Sequence, residues 1–206
     1  MQTIKKTYQT SQEIRKSNFI AFLTPFSEFE TLYKRLKEKH PKAAHIVWAY
    51  RHLNKFHQIV ENQSDDGEPK GTSGPAALSA LKGANLIECA VLIVRYFGGI
   101  KLGTGGLVRA YGSSTNLAID GAEVVKFELR YDCSFFTSYQ LLSRVEYFLE
   151  QNNIDSLKEF DENGAKIETN LTKDELKKLL DLTNEFYNQD DFYYLSLPTV
   201  AKEFLF

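Results

Sequence analysis

Six consecutive apolar residues, 89–94 (CAVLIV), lead through Arg95 into a loop with five glycines in nine positions, residues 98–106 (GGIKLGTGG). A run that short and that apolar reads as a strand buried on both faces. It is far below the roughly 20 residues that a membrane-spanning helix needs. Glycines permit sharp turns and close backbone approach, and a helix-periodic stretch from about residue 107 to 119 follows them. A buried strand, a glycine loop and a helix in that order call for a layered fold with helices packed on a sheet.

The rest of the first half builds around that unit. Residues 4–8 and 17–23 read as short strands, with Pro25 closing the second. Ser27 is placed to cap a helix with Glu30 as its capping-box partner, and Phe29, Leu32, Tyr33 and Leu36 follow one buried stripe before His40-Pro41 ends it. Residues 45–50 and 56–63 are extended runs joined by a polar turn, on which His45 and His57 could face one another across a hairpin or be packed or solvent-facing strand residues. Residues 64–75 (SDDGEPKGTSGP) are a loop by composition, and Pro75 suits the first turn of a helix capped by Ser73 and stopped by Gly83. The first domain therefore reads as strands and helices alternating on one mixed sheet.

A boundary is expected near residues 121–132, giving domains 1–125 and 126–206. The second half parses as strand, helix (138–151), strand, a hairpin turned at 161–164, strand, a helix after Thr172 with Glu175 as capping-box partner, and a last strand at 192–197. That βαββαβ order is the ferredoxin-like plan.

Charge separates the halves. Residues 1–125 hold 16 Lys and Arg against 11 Asp and Glu, whereas residues 126–206 hold 9 against 16, so a net charge of −2 hides a basic domain and an acidic one. The basic domain suits an anionic partner; an acidic domain can also serve only to keep a protein soluble. Cys89 and Cys133 are the only cysteines and show no ligand spacing, which fits a reducing compartment and argues against a disulfide framework or structural zinc. Lys5 and Lys6 lead into no apolar signal core, so a cytoplasmic location is expected, with no membrane contact, metal or cofactor.

The chemistry concentrates in two loops. The glycine loop would present backbone N–H groups at a helix start, an anion-attracting geometry, with Lys101 and Arg109 adding charge. It is no Walker loop, because Thr104 stands where the lysine belongs, and no dinucleotide fingerprint, because Val108 replaces the third glycine. The same glycines also permit a loop that only turns tightly and packs. In the acidic loop, Asp65 and Asp66 would face opposite ways on a strand while Asp66 and Glu68 would share a face, as a cation or base site requires; Asp66-Gly67 is equally a turn pair. Trp48, Tyr50 and Phe56 could stack bases or belong to the core.

The motifs SDDGEPKGTSGP and, about twenty residues later, VLIVRYFGGIKLGTGGLVRAYG resemble the signature of the IMPACT/YigZ family. The resemblance covers the first domain strongly and the second only through element order. It implies a two-layer α/β first domain like the fourth domain of elongation factor G and a ferredoxin-like second domain. Its eukaryotic members regulate translation by competing for a protein that activates the amino-acid-starvation kinase. The family's motif residues fall here on Asp65, Asp66, Glu68, Gly71, Arg95, Gly98, Gly99, Gly103, Gly105, Gly106 and Arg109. The leading expectation is a translation-linked binding protein rather than an enzyme, contacting ribosome, RNA or a regulatory protein through Arg95, Lys101, Arg109 and the glycine loop. A second is an enzyme or sensor for a small phosphate-bearing ligand, with magnesium on Asp65, Asp66 or Glu68. A third is a scaffold whose loops are purely structural.

Overall fold

The computed structural model describes residues 1–186 and 190–204. The chain divides into two compact units, Met1–Phe127 and Glu128–Phe206.

The first unit is built on a five-stranded, wholly antiparallel sheet of order β2-β3-β6-β4-β5. These strands are β2 (Tyr8–Ile14), β3 (Ser17–Pro25), β4 (His45–Leu53), β5 (Ile59–Ser64) and β6 (Cys89–Tyr96). β6 is central and buried from Cys89 to Arg95, because helices cover both faces. Helix α1 (Phe29–Lys39) seals one face with Phe29, Leu32 and Leu36 against Phe22, Ile46, Leu92 and Val94. Helices α2 (Gly74–Gly83) and α3 (Thr104–Asp120) seal the other with Ala77, Leu81, Leu107 and Tyr111 against Phe19, Val47, Val91 and Ile93. Each large apolar side chain enclosed this way contributes about 1.5–3 kcal/mol. The mixed sheet expected from the alternation of strands and helices is thus corrected, since every strand pair in it is antiparallel, while the double burial read from the apolar run is present. A two-stranded pair, β1 (Gln2–Ile4) with β7 (Val124–Lys126), completes the unit.

Two local expectations change. The first strand splits at residues 5–7, and β2 emerges as a half-exposed edge strand whose alternating Gln, Thr and Ser carry little apolar signal. Ser27 does not cap α1: residues 26–28 form a 3-10 turn, and the helix starts at Phe29 with no side-chain cap. Phe26 fixes that turn, stacking on His52 at 3.9 Å between ring centroids and donating its N–H to Glu88 O at 3.0 Å.

The second unit is a four-stranded antiparallel sheet of order β11-β8-β10-β9 with two helices. Its elements are β8 (Arg130–Ser138), α4 (Tyr139–Gln151), β9 (Ser156–Phe160), β10 (Gly164–Thr172), α5 (Lys173–Thr183) and β11 (Phe192–Ser196). Numbered within the unit the order is 4-1-3-2, the ferredoxin-like plan. Thr172 and Glu175 close the capping box reciprocally, at 3.3 and 2.8 Å. Phe135, Ile167, Leu176, Leu179 and Phe192 form the core. Cys89 and Cys133 are both buried, and burial pushes each thiol up to about 12. No helix among the described residues is long and apolar enough to cross a membrane.

Candidate nucleic-acid interface

The acidic loop is a turn whose carboxylates serve the fold. Glu68 N–H donates to Asp65 O at 2.9 Å, and Asp66 and Gly67 at the turn's centre take positive φ of 44° and 85°. Asp65 caps α2 from eight residues upstream: Oδ1 accepts from the N–H groups of Ser73 and Gly74 at 2.9 and 2.8 Å, and Oδ2 from Gly71 at 2.7 Å. Burial pushes the Asp65 carboxyl up, but the three backbone donors outweigh it and hold the group below the usual carboxylate range. Ser73 is therefore the capping position without being the capping side chain. Asp66 Oδ2 accepts from Ile46 N at 2.6 Å and stitches the loop to β4.

Glu68 lies inside the unit, 8% exposed, and brings the two motif loops together. Its Oε1 accepts from Arg95 Nη1 at 2.5 Å and from the Tyr111 hydroxyl at 2.8 Å. Arg95, 5% exposed, is the buried counter-ion of Glu68, which corrects its expected place among the anion-binding residues. Burial, then the neighbouring Glu68 charge, pushes Tyr111 well above its ordinary value, so it stays a neutral donor. His45 Nδ1 donates to Asp66 O at 2.7 Å, and its Nε2 faces Glu68 Oε2 at 3.8 Å. His57 is not its partner, because it sits in the β4–β5 turn with φ of 58°, while His45 is paired with Arg95 across β6. Asp65, Asp66 and Glu68 each point to a different backbone or side-chain partner, and among the described residues no His, Cys, Asp or Glu group could hold a metal. The three carboxylates are thus engaged with separate partners and are not turned toward one shared point.

The glycine loop is pressed against the β2–β3 turn. Gly98 donates its N–H to Ser17 Oγ at 3.2 Å, and a Cβ there would fall 1.9 Å from Lys16 O. Gly99 and Gly103 hold positive φ of 84° and 71°, and Gly103 delivers the chain into α3 with no side chain capping the helix. The N–H groups of the first turn, at Thr104, Gly105 and Gly106, therefore sit at a largely exposed helix start. Arg109 folds back over it: a Cβ on Gly105 would lie 3.8 Å from Arg109 Nη1. Lys101 is exposed in the loop.

Two cations that sequence reasoning missed join this surface. Arg15 and Lys16 form the two-residue turn between β2 and β3, both with positive φ, 46° and 63°, as the primed hairpin turns require. Arg15 and Arg109 line one pocket of about 290 Å³ with Leu102, Gly106 and Ser113. Among the described residues Arg15, Lys16, Lys101 and Arg109 have no carboxylate partner, whereas buried Arg51 and Arg95 each have one. Glu13, the carboxylate nearest the turn in sequence, pairs opposite Asn18 and so faces the other side of the sheet from Gln12 and Ile14. The signal for the turn was present as Ile14-Arg15-Lys16-Ser17, but it needed β2 to be recognised first.

Trp48, Tyr50 and Phe56 do not share a platform. Trp48 and Tyr50 stack at 5.6 Å and both meet Phe29 of α1, at 5.3 and 5.4 Å, so they are packing residues of the α1 layer. Phe56 is 68% exposed in the turn after β4.

Comparison with known proteins agrees with this architecture. Residues 15–119, about half the chain, match the Impact N-terminal domain. An IMPACT family member of Haemophilus influenzae is 37% identical over 152 residues, covering 71% of this chain and 72% of that one. The IMPACT family member YvyE of Bacillus subtilis is 35% identical over 153 residues, covering 73% and 70%. A crystal structure of a hypothetical protein superposes over 96% of this chain and 97% of that one, with a TM-score of 0.66 and 26% identity. With both motif loops in the matched region and the two-unit fold reproduced along nearly its full length, the chain belongs to the IMPACT family.

Proposed function

We propose that this protein is a translation-linked binding protein that takes hold of the phosphate backbone of RNA through its basic first unit. One observation carries the reading: Arg15 and Arg109 line one pocket beside the uncapped start of α3, with Lys16 next to Arg15 in the chain and Lys101 in the loop that enters the helix, and none of the four has a carboxylate partner among the described residues. Buried Arg51, by contrast, is paired with Glu61 at 2.9 Å. Unpaired cations beside exposed backbone N–H groups form an electrostatic seat for phosphate. The IMPACT resemblance, whose eukaryotic members act in translation, supports RNA of the translation apparatus as the source of that phosphate. The side chains here bind and orient; the network around Glu68 holds the loops that carry them.

The test is the salt dependence of RNA affinity. If all four cations neutralise phosphates of a single strand, log K should fall with log salt at a slope of about −2.8, roughly a fifty-fold loss from 50 to 200 mM. Lys101→Ala with Arg109→Ala should halve that slope on any RNA sequence. An affinity independent of salt would contradict phosphate contact and favour a protein partner.

A further inference from the structure

Phe97 follows β6 directly and opens the glycine loop, and it is 52% exposed, whereas Phe19 and Phe22 within the strands of the sheet are buried. It is also held in place. The Arg95 guanidinium carbon lies 5.7 Å from the Phe97 ring centroid and 5.4 Å from that of Phe19, and Arg95 is itself fixed by Glu68. On the other side in sequence, Gly98 is pinned to Ser17 and packed on the Lys16 backbone. The ring thus rests against a buried cation and presents its remaining surface to solvent beside the Arg15-Lys16 turn. Ile100, 42% exposed, extends the apolar surface along the loop next to Lys101.

We infer that Phe97 is a stacking site for an unpaired base of single-stranded RNA whose phosphates run over Arg15, Lys16, Lys101 and Arg109. The inference rests on the RNA reading above and narrows it to unpaired strands. An exposed aromatic ring amid uncompensated positive charge matches the two-part chemistry of a single strand, a π-face flanked by phosphates. A duplex keeps its bases stacked on one another and offers the ring nothing. A neutral apolar protein surface would leave the four cations without partners.

The experiment is fluorescence anisotropy with labelled single-stranded oligoadenylate, the same strand annealed to oligouridylate, and an abasic strand of equal length. Phe97→Ala should weaken oligoadenylate binding between about fivefold and a hundredfold, the span expected of one stacked base, with the salt slope unchanged. Phe97→Trp should restore affinity, and neither substitution should alter binding of the duplex or the abasic strand. Circular dichroism melts of both variants should match the parent, because the ring is half exposed. Equal oligoadenylate affinity in the parent and Phe97→Ala, or equal losses on all three probes, would overturn the stacking role while leaving the phosphate reading intact. Failure of the parent itself to bind any probe at low salt would overturn both.

Discussion

Arg95 Nη1 stands 2.5 Å from Glu68 Oε1, and this buried pair fastens the acidic loop to the strand that feeds the glycine loop. Both members are at least nine-tenths buried, and Tyr111 and Ser17 supply further polar contacts, at 2.8 and 3.5 Å. The acidic motif therefore bears on the proposed phosphate-binding surface indirectly, by holding the neighbouring loop.

Removing one member strands the other's charge in the interior. Arg95→Met and Glu68→Leu should each destabilise the first unit by about 3–5 kcal/mol, while the two combined should recover much of the loss. Urea unfolding of the two singles and the double gives the coupling. Losses that simply add would show that the pair does not act as a unit.

Asp65 ties pH to the start of α2. Its carboxyl is held below the ordinary range, so the stability it contributes is complete at neutral pH and is lost as pH falls through the folded value. Asp65→Ala should therefore be less stable than the parent by about 1 kcal/mol at pH 7. The gap should close in strong acid, where the parent's carboxyl is protonated too. Urea midpoints across the acid range decide this, and a gap that stays constant would contradict the capping role.

Gly98 and Gly112 should respond oppositely to alanine. At Gly98 a Cβ falls 1.9 Å from backbone oxygen of Lys16, so the loop must separate from the hairpin and both stability and RNA affinity should drop. At Gly112, inside α3, a Cβ meets nothing within 4 Å, and Gly112→Ala should stabilise by about 0.5–1 kcal/mol. Thermal melts of the two variants suffice; a stable Gly98→Ala would mean that the close approach is not required.

What could be read from the chain follows the range of each interaction. The Thr172/Glu175 box and the β6–loop–α3 passage were legible because their determinants lie within a few residues. The ferredoxin-like order was legible because its helices carry clean apolar stripes. Arg95 was misplaced because a cation at a strand end beside glycines looks like an anion ligand, and its true partner lies 27 residues away in sequence. Asp65 hid for the same reason, since a cap eight residues upstream has no spacing rule. Arg15 and Lys16 were invisible until the polar edge strand β2 was seen to pair with β3. Convergence of the motif loops is a property of the sheet, in which β6 lies beside both β3 and β4.

Co-sedimentation of the purified protein with ribosomes at low and high salt tests the central claim most directly. The account predicts retention at low salt, loss at high salt, and loss at low salt as well when Lys101 and Arg109 are both alanine. Free protein in the supernatant at both salts, or retention indifferent to salt and to those substitutions, would contradict it.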